Sequence, residues 1–139
     1  MSVFVLDAST AAAWLLPEEY SETAERLIAG ISGPCPVPNL FWHEARSILI
    51  SAERRKRIAA GQALNAMARL RRLPLDDAGA GQDGSVLELA SAHALSAYDA
   101  AYLDLAVRQS LPLATLDRKL ASAARAEKVP VLGPFENEH

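Results

Sequence analysis

Cysteine is nearly absent from this chain. Cys35 is the single thiol among 139 residues, which excludes an internal disulfide and any cysteine-rich zinc site. With no base or cation beside it in sequence, it reads as a small packed residue rather than a nucleophile. Aromatics are scarce, with three Phe, three Tyr and two Trp. No apolar run approaches the length that spans a bilayer. No basic, cleavable leader precedes the first apolar run, so the expectation is a cytoplasmic protein without membrane contact. A large charge excess is missing too: 14 Lys and Arg stand against 17 Asp and Glu, a formal net charge of −3. That balance argues against broad electrostatic wrapping of nucleic acid. It leaves room for a local basic surface around an acidic site. No repeat, linker or composition shift divides the chain, so residues 1–139 read as one domain with one core.

What is present is a repeated local grammar. Val3-Phe4-Val5-Leu6 is a short apolar run that ends on Asp7, followed by Ser9, Thr10 and an Ala-rich stretch to Leu16. This reads as a buried strand, a turn and a helix capped by Ser9 or Thr10. Asp7 then stands at the carboxyl end of the first strand, where open α/β sheets place their ligands. Leu111 to Leu116 repeats the pattern, ending on Asp117 before a helix over 118–127. Taken alone, Asp117 is most simply a helix cap.

Between these runs, helical spacing predicts a second helix over 20–31, after a break at Pro17-Glu18-Glu19. The proline-rich Pro34 to Pro38 holds a short strand. Asn39 is expected to cap a third helix, 40–54, whose apolar stripe Phe41, Ala45, Ile48, Leu49 and Ala52 includes Glu44. A further helix is expected over 58–73, a weak strand at Leu73-Pro74-Leu75, a loop over 76–84, and helices over 85–93 and from Ala97 to Gln109. On the last of these, Asp99 shares a face with Tyr102, Leu103 and Ala106. Asp104 lies about 140° round the axis and is expected in solvent. Val129 to Leu132 is a final strand and Gly133 to His139 a tail. Strands alternating with helices predict a parallel sheet covered on both faces. The basic runs Arg54-Arg55-Lys56-Arg57 and Arg69 to Arg72 close two helices. They serve equally as partners of the helix dipoles or as a rim for phosphates.

Two acids at strand ends (Asp7, Asp117) and two on inward helix faces (Glu44, Asp99) make one candidate site. Gathered carboxylates repel one another and lose hydration. Divalent cations relieve both costs, and all-oxygen ligation suits Mg²⁺ or Mn²⁺ rather than zinc. Two such ions can clamp the attacking and leaving oxygens of a phosphodiester.

The chain resembles the PIN-domain ribonucleases, and most of all the VapC-type toxins of bacterial toxin–antitoxin pairs. The resemblance is carried by Val5-Leu6-Asp7-Ala8-Ser9, by Phe41-Trp42-His43-Glu44-Ala45, by Tyr98-Asp99-Ala100-Ala101-Tyr102-Leu103, and by Leu113-Ala114-Thr115-Leu116-Asp117-Arg118-Lys119-Leu120. It implies a three-layer α/β/α sandwich around a mainly parallel sheet. It also implies a Mg²⁺- or Mn²⁺-dependent endoribonuclease with Asp7, Glu44, Asp99 and Asp117 as catalytic and metal-binding acids. Ser9 and Thr115 would orient a carboxylate or a bound water. The family often carries Asn three residues after the helix acid; here that residue is Ser47, whose shorter hydroxyl can still hold a water or a neighbouring acid. The implied partners are RNA, a small antitoxin protein and a second copy of the chain. Three rivals rank lower. A haloacid-dehalogenase-like phosphatase needs a second Asp where Ser9 stands, and a receiver domain needs paired acids after its first strand. A PIN-like binding module without catalysis has no need of four intact acids.

Overall fold

Short apolar runs that stop at a polar residue form short strands here. The computed structural model describes residues 2–17 and 19–137. Glu18 of the predicted first break and residues 138–139 of the predicted tail lie outside the described residues. β1 (Val5–Leu6) leads straight into α1 (Ala8–Leu15), α2 (Ser21–Ala29) follows, and β2 (Cys35–Val37) comes next. All three β2 residues are buried, Cys35 among them.

α3 (Phe41–Arg54) carries the buried stripe Phe41, Ala45, Leu49 and Ala52. Asn39 does not cap it: Leu40 is the residue before the first turn, and the Asn39 N–H donates instead to the carbonyl of Gly79. α4 (Gln62–Leu70) starts four residues later than the periodicity suggests. The intervening turn has Gly61 at φ +90°, and a carboxylate oxygen of Glu53 accepts from the N–H groups of Gly61 and Ala63 at 3.1 and 2.8 Å. An acid from the end of α3 thus serves α4's orphan donors, which fixes where that helix can begin.

β3 (Leu75–Asp77) contains Asp76 and Asp77, two residues expected in a loop. They pair in parallel with Pro36 and Val37 of β2, so pairing overrides the poor strand preference of Asp. α5 (Asp83–His93) begins two residues earlier than expected, and α6 (Ala97–Gln109), β4 (Leu113–Ala114), α7 (Arg118–Ala126) and β5 (Val131–Leu132) complete the order. β1, β4 and β5 form a parallel ladder with Leu6 opposite Ala114 and Ala114 opposite Leu132. The β2–β3 pair packs beside β1. The architecture is an α/β sandwich with every paired strand parallel.

The core is built from Phe4, Leu6, Phe41, Leu103, Leu113 and Leu120, all fully buried. Each such side chain contributes roughly 1.5–3 kcal/mol. α6 lies at the centre, against β1, β2 and β4 on one side and α5 and α7 on the other. Its residues 100–106 are buried without interruption. Asp104 is therefore not in solvent. It is 2% exposed and paired with Arg108 at 2.9 Å. The back of α6, which the helical wheel leaves to water, is covered by α5. Gly81, at φ +78°, lets the preceding loop lie so close that a Cβ there would stand 2.8 Å from Asp104 Oδ2.

The last described residues do not hang free as a tail. Phe135 is buried, meets Tyr20 edge-on at 6.1 Å and has the Arg118 guanidinium 4.4 Å above its ring. Among the described residues no helix is long and apolar enough to cross a membrane.

Candidate active site

Because β1 and β4 are neighbours and parallel, the residues that follow them emerge at the same end of the sheet. Asp7 follows β1, and Thr115 to Asp117 follow β4. Two hydroxyls join the ends. Thr115 Oγ1 donates to Asp7 Oδ2 at 2.5 Å and accepts from the Asp117 N–H at 3.0 Å. Ser9 Oγ donates to both Asp7 oxygens, at 2.8 and 2.9 Å, and accepts from the Leu116 N–H at 3.1 Å. Gly133, at φ +123°, brings the turn after β5 against this corner, where a Cβ would stand 2.9 Å from the Thr115 carbonyl oxygen.

Asp7 is also the cap of α1, in place of Ser9 or Thr10. Its Oδ1 accepts from the Thr10 N–H and from the Thr10 hydroxyl, both at 2.9 Å. Four donor groups thus converge on one carboxylate that is 4% exposed. Burial raises its pKa above the ordinary carboxylate value, and the hydrogen bonds from Thr115, Thr10 and Ser9 oppose the rise.

Glu44, half-buried in the first turn of α3, accepts from the Tyr102 hydroxyl of α6 at 2.5 Å. Burial raises its pKa, the Tyr102 bond opposes, and the charges of Asp99 and Asp7 add to the rise. The Tyr102 phenol is pushed strongly upward, by burial first and then by its bond to Glu44. Asp99 sits in the first turn of α6, whose cap Ser96 accepts from the Asp99 N–H at 3.1 Å. Burial and the charge of Asp117 raise the Asp99 pKa, while Lys119 and Ser96 lower it. Asp117 caps α7, accepting from the Leu120 N–H at 3.0 Å.

The four acids are therefore electrostatic neighbours in the order Asp7, Glu44, Asp99, Asp117. Each also stands at a helix N-terminus, as the cap of α1 or α7 or within the first turn of α3 or α6. The positive end of each helix dipole favours the nearby carboxylate by roughly 0.3–1 kcal/mol, which offsets part of the mutual repulsion. A cation is also present: Lys119 acts on Asp99 and opposes the rise in its pKa.

Among the described residues, no three His, Cys, Asp or Glu side chains are placed to hold one metal ion together. The donor chemistry nonetheless fits a hard divalent cation. Every donor is a carboxylate oxygen, and three of the four acids carry raised pKa values that a cation would relieve.

Ser47 stands one turn after Glu44 on α3. It is exposed on α3 and lines a shallow cleft with His43, Arg46, Ile50 and Arg54. Tyr102 and Thr10 touch the acids, and the sequence alone does not mark them as site residues. Tyr102 had a signal, since it follows Asp99 by three residues on one helical face. Thr10 had none beyond its place in the turn.

A parallel α/β sandwich with acids at the carboxyl ends of β1 and β4 and at the starts of α3 and α6 defines a class of protein with acids gathered at one sheet end. The chain belongs to the PIN domain family, which matches residues 4–126. No curated protein matches the sequence. Among solved structures it is similar to PAE2754 from Pyrobaculum aerophilum, with TM-score 0.69 and 21% identity over 89% of this chain and 81% of that one. It is similar to VapC20 of Mycobacterium tuberculosis, described as a sarcin-ricin loop cleaving toxin, with TM-score 0.66 and 16% identity over 86% and 94%. A toxin–antitoxin complex from Klebsiella pneumoniae aligns with TM-score 0.65 and 16% identity over 96% and 98%. At these identities the likeness concerns the fold.

Proposed function

We propose that this chain is a single PIN-like unit acting as a metal-dependent endoribonuclease, the toxin of a toxin–antitoxin pair. The observation that carries this reading is the electrostatic chain of Asp7, Glu44, Asp99 and Asp117 at four helix N-termini. Asp7, Glu44, Asp99 and Asp117 would hold Mg²⁺ or Mn²⁺, which would supply charge neutralisation and polarisation of a phosphoryl oxygen. The chain's own contribution is position. Asp7 cannot swing, because donors from α1 and β4 grip both its oxygens. Tyr102, from α6, holds one oxygen of Glu44. Glu44, Asp99 and Asp117 are only half-buried, unlike Asp7, and an RNA phosphodiester would approach from their side. Lys119 beside Asp99 is placed to meet a phosphate oxygen. Ser47, one turn after Glu44 on α3, is proposed as a water-holding group on the approach to Glu44.

The test is cleavage of RNA by purified protein with Mg²⁺ or Mn²⁺, abolished by chelator. Asp7→Asn, Glu44→Gln, Asp99→Asn and Asp117→Asn should each remove nearly all activity while keeping a folded far-UV spectrum. Parent-like cleavage by Asp99→Asn would refute the site. A binding module without catalysis is the second reading, favoured by the lack, among the described residues, of three acids ready to share one ion; RNA binding without cleavage in either metal would establish it. The antitoxin reading predicts tight co-purification with the product of an adjacent small reading frame, and toxicity of this chain expressed alone. A two-fold dimer is expected as well, and sedimentation as a monomer at micromolar concentration would refute it.

A further inference from the structure

The basic run closing α3 does not form one uniform surface. Among the arginines of the α3–α4 hairpin, Arg69 lies 4.5 Å over the Trp14 ring and Arg71 lies 3.8 Å over Trp42. These two act within the fold, covering aromatic faces. Arg57 donates to the carbonyl of Pro17 at 3.3 Å. Arg54 and Arg55 are different. Both are exposed, and among the described residues neither has an ion-pair partner. The adjacent acid, Glu53, is turned away onto the start of α4.

What leads to these two arginines is the flank of α3, along the edge of its buried stripe. From Glu44, this flank runs through Ser47 and Ser51 to Arg55, at helical spacings of three, four and four residues. It covers about 16 Å at 1.5 Å per residue. Two shallow clefts flank it and share Ser47 and Ser51. One, of about 360 Å³, is lined by His43, Arg46, Ile50 and Arg54; the other, of about 260 Å³, by Ile48, Ala52, Arg55 and Arg57. Small hydroxyls along the middle permit close approach and can donate to phosphate oxygens, and the arginines at the end supply charge. No acid follows Glu44 on this flank.

The geometry points to a phosphate-binding track for single-stranded RNA along α3, running from Glu44 past Ser47 and Ser51 to Arg54 and Arg55. This deepens the ribonuclease reading and rests on it for the identity of the ligand. The track reads backbone, not base edges, so it positions RNA on the acids without selecting sequence.

The experiment is fluorescence anisotropy with a short labelled single-stranded RNA, in chelator so that nothing is cut, across about 50–200 mM salt. Removing two phosphate contacts makes the slope of log K against log salt shallower by about 1.4, at about 0.7 per contact for single strands. Arg54→Gln/Arg55→Gln should show that loss, and Arg54→Lys/Arg55→Lys should restore the slope. Arg26→Gln/Lys128→Gln, with the same change in net charge, should leave it unchanged. Ser51→Glu places a carboxylate in the middle of the track on a residue type that favours helix, and should weaken binding at least tenfold. Thermal melts check that each variant is folded. An unchanged slope in Arg54→Gln/Arg55→Gln overturns the track and leaves the arginines for an acidic protein partner. Equal loss in the Arg26/Lys128 control overturns it too. Binding with the expected slopes but no cleavage in metal defeats the nuclease reading and keeps the track. Cleavage with unaltered slopes does the reverse.

Discussion

Thr115 is a fully buried residue whose hydroxyl joins two acids that no other single atom joins. Thr115→Val keeps the shape and removes the oxygen. Asp7 then loses a charge-assisted hydrogen bond, worth about 1.5–3 kcal/mol, and the Asp117 N–H loses its acceptor, worth about 1–3 kcal/mol when nothing replaces it. The Asp117 amide is only partly buried, so water recovers some of the second loss. The net expectation is about 2–4 kcal/mol, a fall in Tm of about 10 °C for a domain of this size. The loss should depend on pH. Burial raises the folded-state pKa of Asp7, so stability falls as pH rises from the unfolded carboxylate value through the folded one. The Thr115 bond lowers that pKa, and its removal raises it further. The variant should therefore trail the parent more at neutral pH than in mild acid. The assay is thermal melting in chelator at both conditions. Thr10→Val is the comparison, because its hydroxyl reaches Asp7 at 2.9 Å without bridging to β4 and its amide still caps. A loss in Thr115→Val that is independent of pH, or no larger than that of Thr10→Val, refutes the bridge.

Asp99→Asn should raise the Tm of metal-free protein at neutral pH, since burial and Asp117 raise the Asp99 pKa; the gain should vanish below about pH 4, where the unfolded carboxylate is protonated too. Saturating Mg²⁺ or Mn²⁺ should stabilise the parent and do much less for this variant, and equal metal shifts would refute the shared site. Tyr102→Phe should cost about 1.5–3 kcal/mol in urea unfolding, the value of a hydrogen bond to a charged group, and should lower RNA cleavage by freeing Glu44. Full cleavage by Tyr102→Phe would show that Glu44 needs no fixing. Asp104→Asn should lower Tm while leaving RNA cleavage near the parent rate; a cleavage loss as large as that of Asp99→Asn would show that the wrong acid on α6 has been placed in the site. Its stability cost should be near 1 kcal/mol, below the buried-pair range, because the Arg108 side chain is 37% exposed and solvated.

What could be read from the chain and what could not divide along a physical line. The grammar of apolar run, Asp and helix located Asp7 and Asp117, because strand ends and helix caps are local events. The helical period placed Glu44 and Asp99 on inward faces for the same reason. Asp104 escaped the same arithmetic: a wheel gives an angle, but whether that angle meets water depends on α5, which arrives from a segment with no buried residue of its own. β3 escaped because Asp76 and Asp77 become strand only by pairing with β2, some forty residues earlier. The Tyr102–Glu44 bond crosses 58 residues and the Thr115–Asp7 bond crosses 108, so no local pattern holds either one. The acids were thus legible as candidates. Of the groups that hold them, Ser9 and Thr115 are legible only through the family resemblance, and Thr10 and Tyr102 not at all. That asymmetry follows from how such a site is built. Each of these carboxylates sits at a helix start, which eases their company, and helix starts leave marks in sequence. The hydroxyls that aim them need only lie within hydrogen-bond reach, and many small residues in a chain meet that condition on paper. Ser9, Thr10 and Thr115 are distinguished from the other hydroxyls only by the parallel register of β1 with β4, with Leu6 opposite Ala114. A shift of that register by one residue would turn the Thr115 side chain to the other face of the sheet and leave Asp7 buried without its strongest donor.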